Sequence, residues 1–364
     1  MSNIFDYLTW RGDLTFGNVP LSPVDGLIFS VLPYIRLEGI VPEAPGAEPI
    51  RLAAAADAYF ARPVTEVETG FDDKHHRLLA ALRDSARFSS LRLTAAKKLI
   101  DRAEGVQFAA ITVILPGQAL FVAFEGTDNS LVGWREDFRM SYDCPVPAQL
   151  HAVRYLREVA AAFPLRKIYL GGHSKGGNLA MFAAIHSPVE VRERIKTVFN
   201  CDGPGFCDET LSTPEYEEMR PRIHTYLPES SIVGVLLEHD TNYKIVKSTA
   251  SGIMQHDAYS WEISGADFVY TPERTAFGKR TEAILARFVR ELSPERKRQF
   301  SEALFTILER AELTRLDDLG TGKIKLLRNL YRAYSGLSPD VREILADSLG
   351  ALTESRRAEK KSFS

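Results

Sequence analysis

The stretch Tyr169-Leu170-Gly171-Gly172-His173-Ser174-Lys175-Gly176-Gly177-Asn178-Leu179-Ala180 decides the fold of this 364-residue chain. The run Lys167-Ile168-Tyr169-Leu170 leading into it has the apolar texture of a short buried strand. Residues 175–186 read as a helix, stopped by Pro188. Between them stands G-x-S-x-G, as Gly172-His173-Ser174-Lys175-Gly176. A serine at the tip of a sharp strand-to-helix turn needs small residues two before and two after it, where the chain folds closely on itself. The N-terminus of the following helix favours negative charge developing beside that serine. Ser174 is therefore the candidate nucleophile. A glycine-rich connection without chemistry is the competing reading, and the flanking strand and helix together with Gly177 weigh against it. A phosphate-binding loop needs Gly-Lys ahead of Ser/Thr, whereas here Ser174 precedes Lys175.

Working outward, 108–115 and 119–124 are β-rich runs joined through Pro116-Gly117, which predicts an antiparallel hairpin. A helix is expected over 149–163, and further strands at 195–201, 222–227 and 243–246. Short apolar runs separated by helices predict an α/β fold with a mostly parallel central sheet covered on both faces. Residues 51–105 read as helical, from Leu78, Leu79, Leu82, Leu91, Leu93, Leu99 and Ile100 at loosely helical spacing, and 26–32 as the opening of a buried helix.

From about 272 the pattern is purely helical. Ile284, Leu285, Phe288, Val289 and Leu292 form one stripe, and Phe300, Leu304, Ile307, Leu308 and Ala311 another. Ser293-Pro294-Glu295 and Ser338-Pro339-Asp340 each read as an N-cap, a proline at the first helical position and a first-turn acid. The division expected is one domain over 1–271 and a helical appendage with a basic tail over 272–364. The connecting residues 264–272 are short and carry aromatics, which predicts docking of the appendage and not a free tether.

The bulk composition narrows the partners. Lys and Arg number 45 against 48 Asp and Glu, for a net charge of −3 with the signs interspersed, so no concentrated basic face for nucleic acid is expected. The basic run Arg356-Arg357-Ala358-Glu359-Lys360-Lys361 reads as a solvated end. Three cysteines, Cys144, Cys201 and Cys207, are an odd number without metal-ligand spacing. The N-terminus lacks the pattern of a signal peptide, and no segment approaches the roughly 18 apolar residues of a membrane span. A cytoplasmic protein is the expectation. Oligomeric state is not legible.

The elbow Gly172 to Ala180 resembles that of the class 3, fungal-type lipases. So do Leu120-Phe121-Val122-Ala123-Phe124-Glu125-Gly126-Thr127-Asp128 and Trp134-Arg135-Glu136-Asp137-Phe138, which are similar to those lipases' oxyanion strand and the helix after it. Lys175, Cys201-Asp202-Gly203-Pro204-Gly205-Phe206, Met254-Gln255-His256-Asp257 and the opening Phe5-Asp6-Tyr7-Leu8 are more specific and resemble the bacterial DUF2974, or Mbeg1-like, family. The resemblance covers roughly 4–265. It implies an α/β-hydrolase fold and supplies no substrate.

A serine nucleophile needs a base and an acid, and in this fold they follow it in the chain in the order acid, histidine. His186, His224, His239 and His256 follow Ser174. His256 lies in the loop after the last expected strand and is the candidate base, with His239 behind it. In class 3 lipases the acid sits just after the next-to-last strand. The matching stretch here is Pro228-Glu229-Ser230-Ser231-Ile232-Val233-Gly234, with Ser231 at the acid's position. Asp202, one strand earlier, can reach the same imidazole, as in pancreatic-type lipases. It is the candidate acid, Glu229 the alternative, and Asp257 and Asp240 stand behind both. The plainer reading of Asp202 is an Asx-turn residue. Acyl transfer needs donors where the carbonyl oxygen becomes negative. The backbone N–H of Lys175 and the N–H and hydroxyl of Thr127 are the candidates, and the Lys175 side chain is expected on Asp128, on Glu136 or in solvent.

These residues point to a serine hydrolase of lipase or esterase type acting on a small acyl ester or lipid through a covalent acyl-enzyme. Such chemistry needs neither metal nor organic cofactor. Two other readings compete: a non-catalytic protein of the same fold that binds a partner or lipid, and acyl transfer to an acceptor other than water, with thioester or peptide cleavage beside it.

Overall fold

The computed structural model describes residues 2–62, 72–101, 103–128, 131–206, 208–237, 242–280, 282–283 and 292–310, with a few isolated positions beyond. Cys207, His239, Asp240, Ala311, Ser338, Asp340, the residues Ile284 to Val289 of the first helical stripe and the basic tail lie outside the described residues.

The chain opens with helices α1 (Ile4–Arg11) and α2 (Pro23–Val31), then β1 (Ile50–Arg51), α3 (Leu52–Phe60) and α4 (Asp72–Asp84). Strands β2 (Arg92–Asp101), β3 (Val106–Leu115) and β4 (Ala119–Phe124) follow as an antiparallel meander. Next come α5 (Leu131–Arg139), α6 (Pro147–Ala162), β5 (Lys167–His173), α7 (Lys175–Ile185), α8 (Val189–Arg192), β6 (Ile195–Cys201), α9 (Asp208–Leu211), α10 (Pro214–Met219), β7 (Ile223–Pro228) and β8 (Tyr243–Val246). The eight strands form one sheet in chain order, antiparallel from β1 to β4 and parallel from β4 to β8. This is the mostly parallel α/β sheet that the alternation of strands and helices predicts.

Alternation along each strand sends side chains to two separate cores. On β4, Phe121 and Ala123 join the core under α1 to α4, while Leu120, Val122 and Phe124 join the core under α6 and α7. Both faces are dry, which is why these strands read as continuous apolar runs.

One expectation is corrected. Residues 92–101 are a strand and not part of a helical region. The register of β2 against β3 shifts between Thr94 and Lys97, and Ala95 sits at φ 55°. This bulge breaks the period of two, so that apolar residues on either side of it fall at spacings resembling a helix.

After β8 a short hairpin, β9 (Ile263–Ser264) with β10 (Asp267–Phe268), packs on the domain. Phe268 is buried against Tyr226 and Trp261, and Thr271 donates its N–H to the Ile245 carbonyl. Helix α11 (Pro294–Arg310) begins at the expected proline, with the Ser293 hydroxyl accepting from the Arg296 N–H. Its Phe305 and Leu308 are buried with Leu131 of α5, and Arg135 pairs with Glu309 at 3.0 Å. Among the described residues no helix is long and apolar enough to cross a membrane.

Candidate active site

The parallel register assembles the site before any side chain is considered. Phe124 stands opposite Gly172, His173 opposite Cys201, and Cys201 opposite Tyr226. The residues just past the ends of β4, β5 and β6 therefore emerge side by side at the sheet's C-terminal edge: Gly126-Thr127, Ser174 and Asp202. Open α/β sheets place their ligands along this edge.

The elbow is tight. Ser174 adopts φ 57°, ψ −136°, a conformation that costs an L-residue strain, and its N–H bonds the Cys201 carbonyl at 2.9 Å. A Cβ on Gly172 would come within 2.1 Å of the Gly176 backbone, and one on Gly176 within 2.2 Å of the Phe124 carbonyl oxygen. The two flanking glycines of the motif are thus demanded by close approach of backbone to backbone. The next loop is equally close: a Cβ on Gly126 would lie 3.0 Å from the Ser174 Cβ and 2.5 Å from the His173 carbonyl oxygen.

His256 ends a short 3-10 turn (Gly252–His256) in the loop after β8. Its Nδ1 lies 2.7 Å from Oδ2 of Asp202, whose side chain is fully buried while that of His256 is 26% exposed. A carboxylate only accepts, so Nδ1 carries the hydrogen and Nε2 is left as the basic nitrogen. The other carboxylate oxygen of Asp202 accepts from the Ser231 hydroxyl, and the Gly234 N–H donates to Ser231 Oγ at 3.0 Å. Asp202 also has φ 54°, with its N–H bonded to the Tyr226 carbonyl.

The remaining candidates are placed elsewhere. Glu229 interacts with Gln255 Nε2 at 3.5 Å, and Asp257 pairs with Lys74. His186 meets the Phe182 ring at a tilt and is exposed, and His224 is exposed on β7.

On the oxyanion side, the Thr127 hydroxyl donates to Oδ2 of Asp137 on α5. Its N–H is then what remains for an oxyanion while Asp137 is ionised. Burial, partly offset by Lys175 and Thr127, raises the Asp137 carboxyl to about 6. Lys175 turns its side chain away from solvent entirely. Its Nζ lies 3.0 Å from Oε2 of Glu136, both side chains fully buried, and donates to the Gln107 carbonyl at 2.8 Å. Burial disfavours the ammonium, but Glu136 and Asp137 outweigh it and raise its pKa. Glu136 also accepts from the N–H groups of Gln107 at 3.1 Å and Ala148 at 2.9 Å. Gln107 bonds Glu125 at 3.1 Å, and burial pushes that carboxyl up to about 7. The Lys175 side chain is thus held to α5 by a buried polar network.

The reading of the sequence gave Ser231 and Asp137 no role. The signal for Ser231 is its place where the resemblance expects an acid, and its hydroxyl here donates to Asp202. The signal for Asp137 was its place in the Trp-Arg-Glu-Asp helix.

The family described as Mbeg1-like matches residues 82–306. No curated protein matches the chain. Among solved structures, lipase II from Rhizopus niveus is 16% identical, covering 50% of this chain and 74% of its own, with a TM-score of 0.31. The lipase from Rhizopus microsporus var. chinensis is 17% identical, covering 66% and 93%, with a TM-score of 0.31. Rhizomucor miehei lipase in its propeptide complex is 14% identical, covering 53% and 71%, with a TM-score of 0.32.

Proposed function

The chain belongs to the Mbeg1-like family, and we propose that it is a serine hydrolase that cleaves a carboxylic ester of lipase or esterase type. The observation that carries this reading is the Nδ1 to Oδ2 contact of His256 with Asp202, 2.7 Å long, in a loop beside the strained elbow of Ser174. A buried carboxylate spent on an imidazole is costly for a scaffold and useful to a general base, because it fixes the tautomer and steadies the imidazolium.

In this reading Ser174 Oγ attacks the acyl carbonyl while His256 Nε2 takes its proton. The tetrahedral oxyanion accepts from the N–H groups of Lys175 and Thr127, at the N-terminus of α7. The intermediate collapses to an acyl-serine as His256 returns the proton to the departing alcohol. Water, deprotonated by the same nitrogen, then releases the acid. The substrate is a small acyl ester or lipid. A soluble panel of acyl esters of increasing chain length tests the proposal: it expects turnover on at least one member, lost in Ser174→Ala. Turnover that survives in Ser174→Ala overturns it.

A further inference from the structure

The reaction above leaves His173 without a task, yet this side chain touches both the backbone and the ring of the base. It is 8% exposed, and its Nε2 lies 2.7 Å from the carbonyl oxygen of His256. A carbonyl only accepts, so Nε2 carries the hydrogen. Burial, reinforced by His256 and His75, holds the ring's pKa well below the ordinary imidazole value, although the bond to the His256 carbonyl opposes this. The ring is therefore neutral and Nδ1 is an acceptor. The Tyr34 hydroxyl stands 3.2 Å from it and donates.

The surroundings hold His173 in turn. Its ring packs on that of His256 with centroids 4.6 Å apart and a tilt of 35°. Tyr34 stacks on His75 at 5.4 Å and 11°, and His75 Nδ1 lies 2.7 Å from the hydroxyl of Tyr259, which follows His256 in the same loop. The base's loop is thus gripped at its carbonyl by one residue and a little further on by another, through linked aromatic and imidazole contacts.

We propose that His173 is a positioning residue for His256: its Nε2–H fixes the His256 carbonyl, and its ring supports the His256 ring, tying the base's loop to the residue that precedes the nucleophile. The role follows from the covalent chain. His173 is bonded to Ser174, so any shift of the elbow carries the anchor of the base with it. A base carried on an irregular loop otherwise wanders on the scale at which proton transfer fails. The inference rests on the hydrolase reading for its consequence in turnover and on geometry for its structural part.

The test uses the full chain with His173→Leu, which fills the space without a donor, and His173→Gln, whose amide N–H reaches the same carbonyl. On a short-chain p-nitrophenyl ester, Leu lowers kcat about 10- to 100-fold with KM changed by less than about three-fold, and Gln restores most of the loss. In parallel, the downfield proton resonance of His256 Nδ1–H, identified by its absence in Asp202→Asn, broadens or vanishes in Leu and persists in Gln. That resonance needs no turnover, so it decides the positioning role even if the protein hydrolyses no ester, a result that overturns only the hydrolase reading. An unchanged resonance in Leu, or equal damage by Leu and Gln with a matching loss of Tm, overturns the positioning role.

Discussion

Nδ1 of His256 and Oδ2 of Asp202 are 2.7 Å apart, and Asp202 follows the end of β6, one strand ahead of the stretch that carries Ser231. The parallel register makes this possible. Cys201 lies opposite Tyr226, so the residue after β6 emerges level with the loops that carry Ser231 and His256. Asp202→Asn keeps the shape and removes the charge. In serine proteases the equivalent change costs roughly four orders of magnitude in kcat, and a loss of about that size is expected here. Glu229→Gln, whose carboxylate meets Gln255 and carries no bond to His256, is expected to change kcat less than about three-fold. Steady-state kinetics of the two variants check this, and equal effects would contradict it.

The buried pair of Lys175 and Glu136 sets a second expectation. Lys175→Met leaves Glu136 charged, buried and short of a partner, which costs about 3–5 kcal/mol. The double change Lys175→Met with Glu136→Gln removes both charges and is expected to recover much of that loss. Urea unfolding of the parent, Lys175→Met, Glu136→Gln and the double variant gives the comparison, and strict additivity of the single changes would contradict the coupling.

Glu125 gives a pH dependence with a definite sign. Its folded pKa is about 7, above the ordinary value of 4.5. Between those values the folded state keeps a proton that the unfolded chain has released, so this group's contribution falls as pH rises through the window and is at its most unfavourable above 7. Glu125→Gln retains an acceptor for Gln107 without the charge. Its stability advantage over the parent is expected to be near zero at pH 4, to grow between 4.5 and 7, and to level off above, at on the order of 3 kcal/mol at most. Thermal unfolding across that pH range checks the shape of the curve.

Helix α11 is expected to act through α5. Phe305 is buried against Leu131 and meets Phe138 edge-on at 5.7 Å. Phe305→Ala opens a cavity in that contact, and a cost of about 3 kcal/mol is expected. Because α5 carries Asp137 and Glu136, turnover is expected to fall alongside stability. Unfolding and kinetics measured together check this, and a stable variant with altered α5 chemistry would contradict the packing argument. Upstream of that helix, Phe268 is buried and Arg274 donates to the Ser231 carbonyl.

Much of the sheet was legible because its signal is local. Strand, glycine turn and helix stand in immediate succession around Ser174, and the hairpin at Pro116-Gly117 is bounded by two apolar runs. Strand β2 was not legible, because the bulge at Ala95 shifts its apolar residues off the period of two. Asp202 was legible only as one candidate acid among several. What places Asp202 on His256 is the stagger of neighbouring parallel strands, and no residue spacing encodes that stagger. Lys175 illustrates the same limit: its partner comes from a helix 39 positions upstream, and only the folded chain selects Glu136 over Asp128.

The central claim is that Ser174 is an activated nucleophile, and covalent capture measures it most directly. The full chain is treated with a fluorophosphonate probe at neutral pH, digested, and the modified peptide identified by mass. The account predicts stoichiometric phosphonylation on the peptide containing Ser174, absent from Ser174→Ala and strongly slowed in His256→Ala. Folded protein that takes up no probe, or that carries it on a serine other than Ser174, would contradict the account.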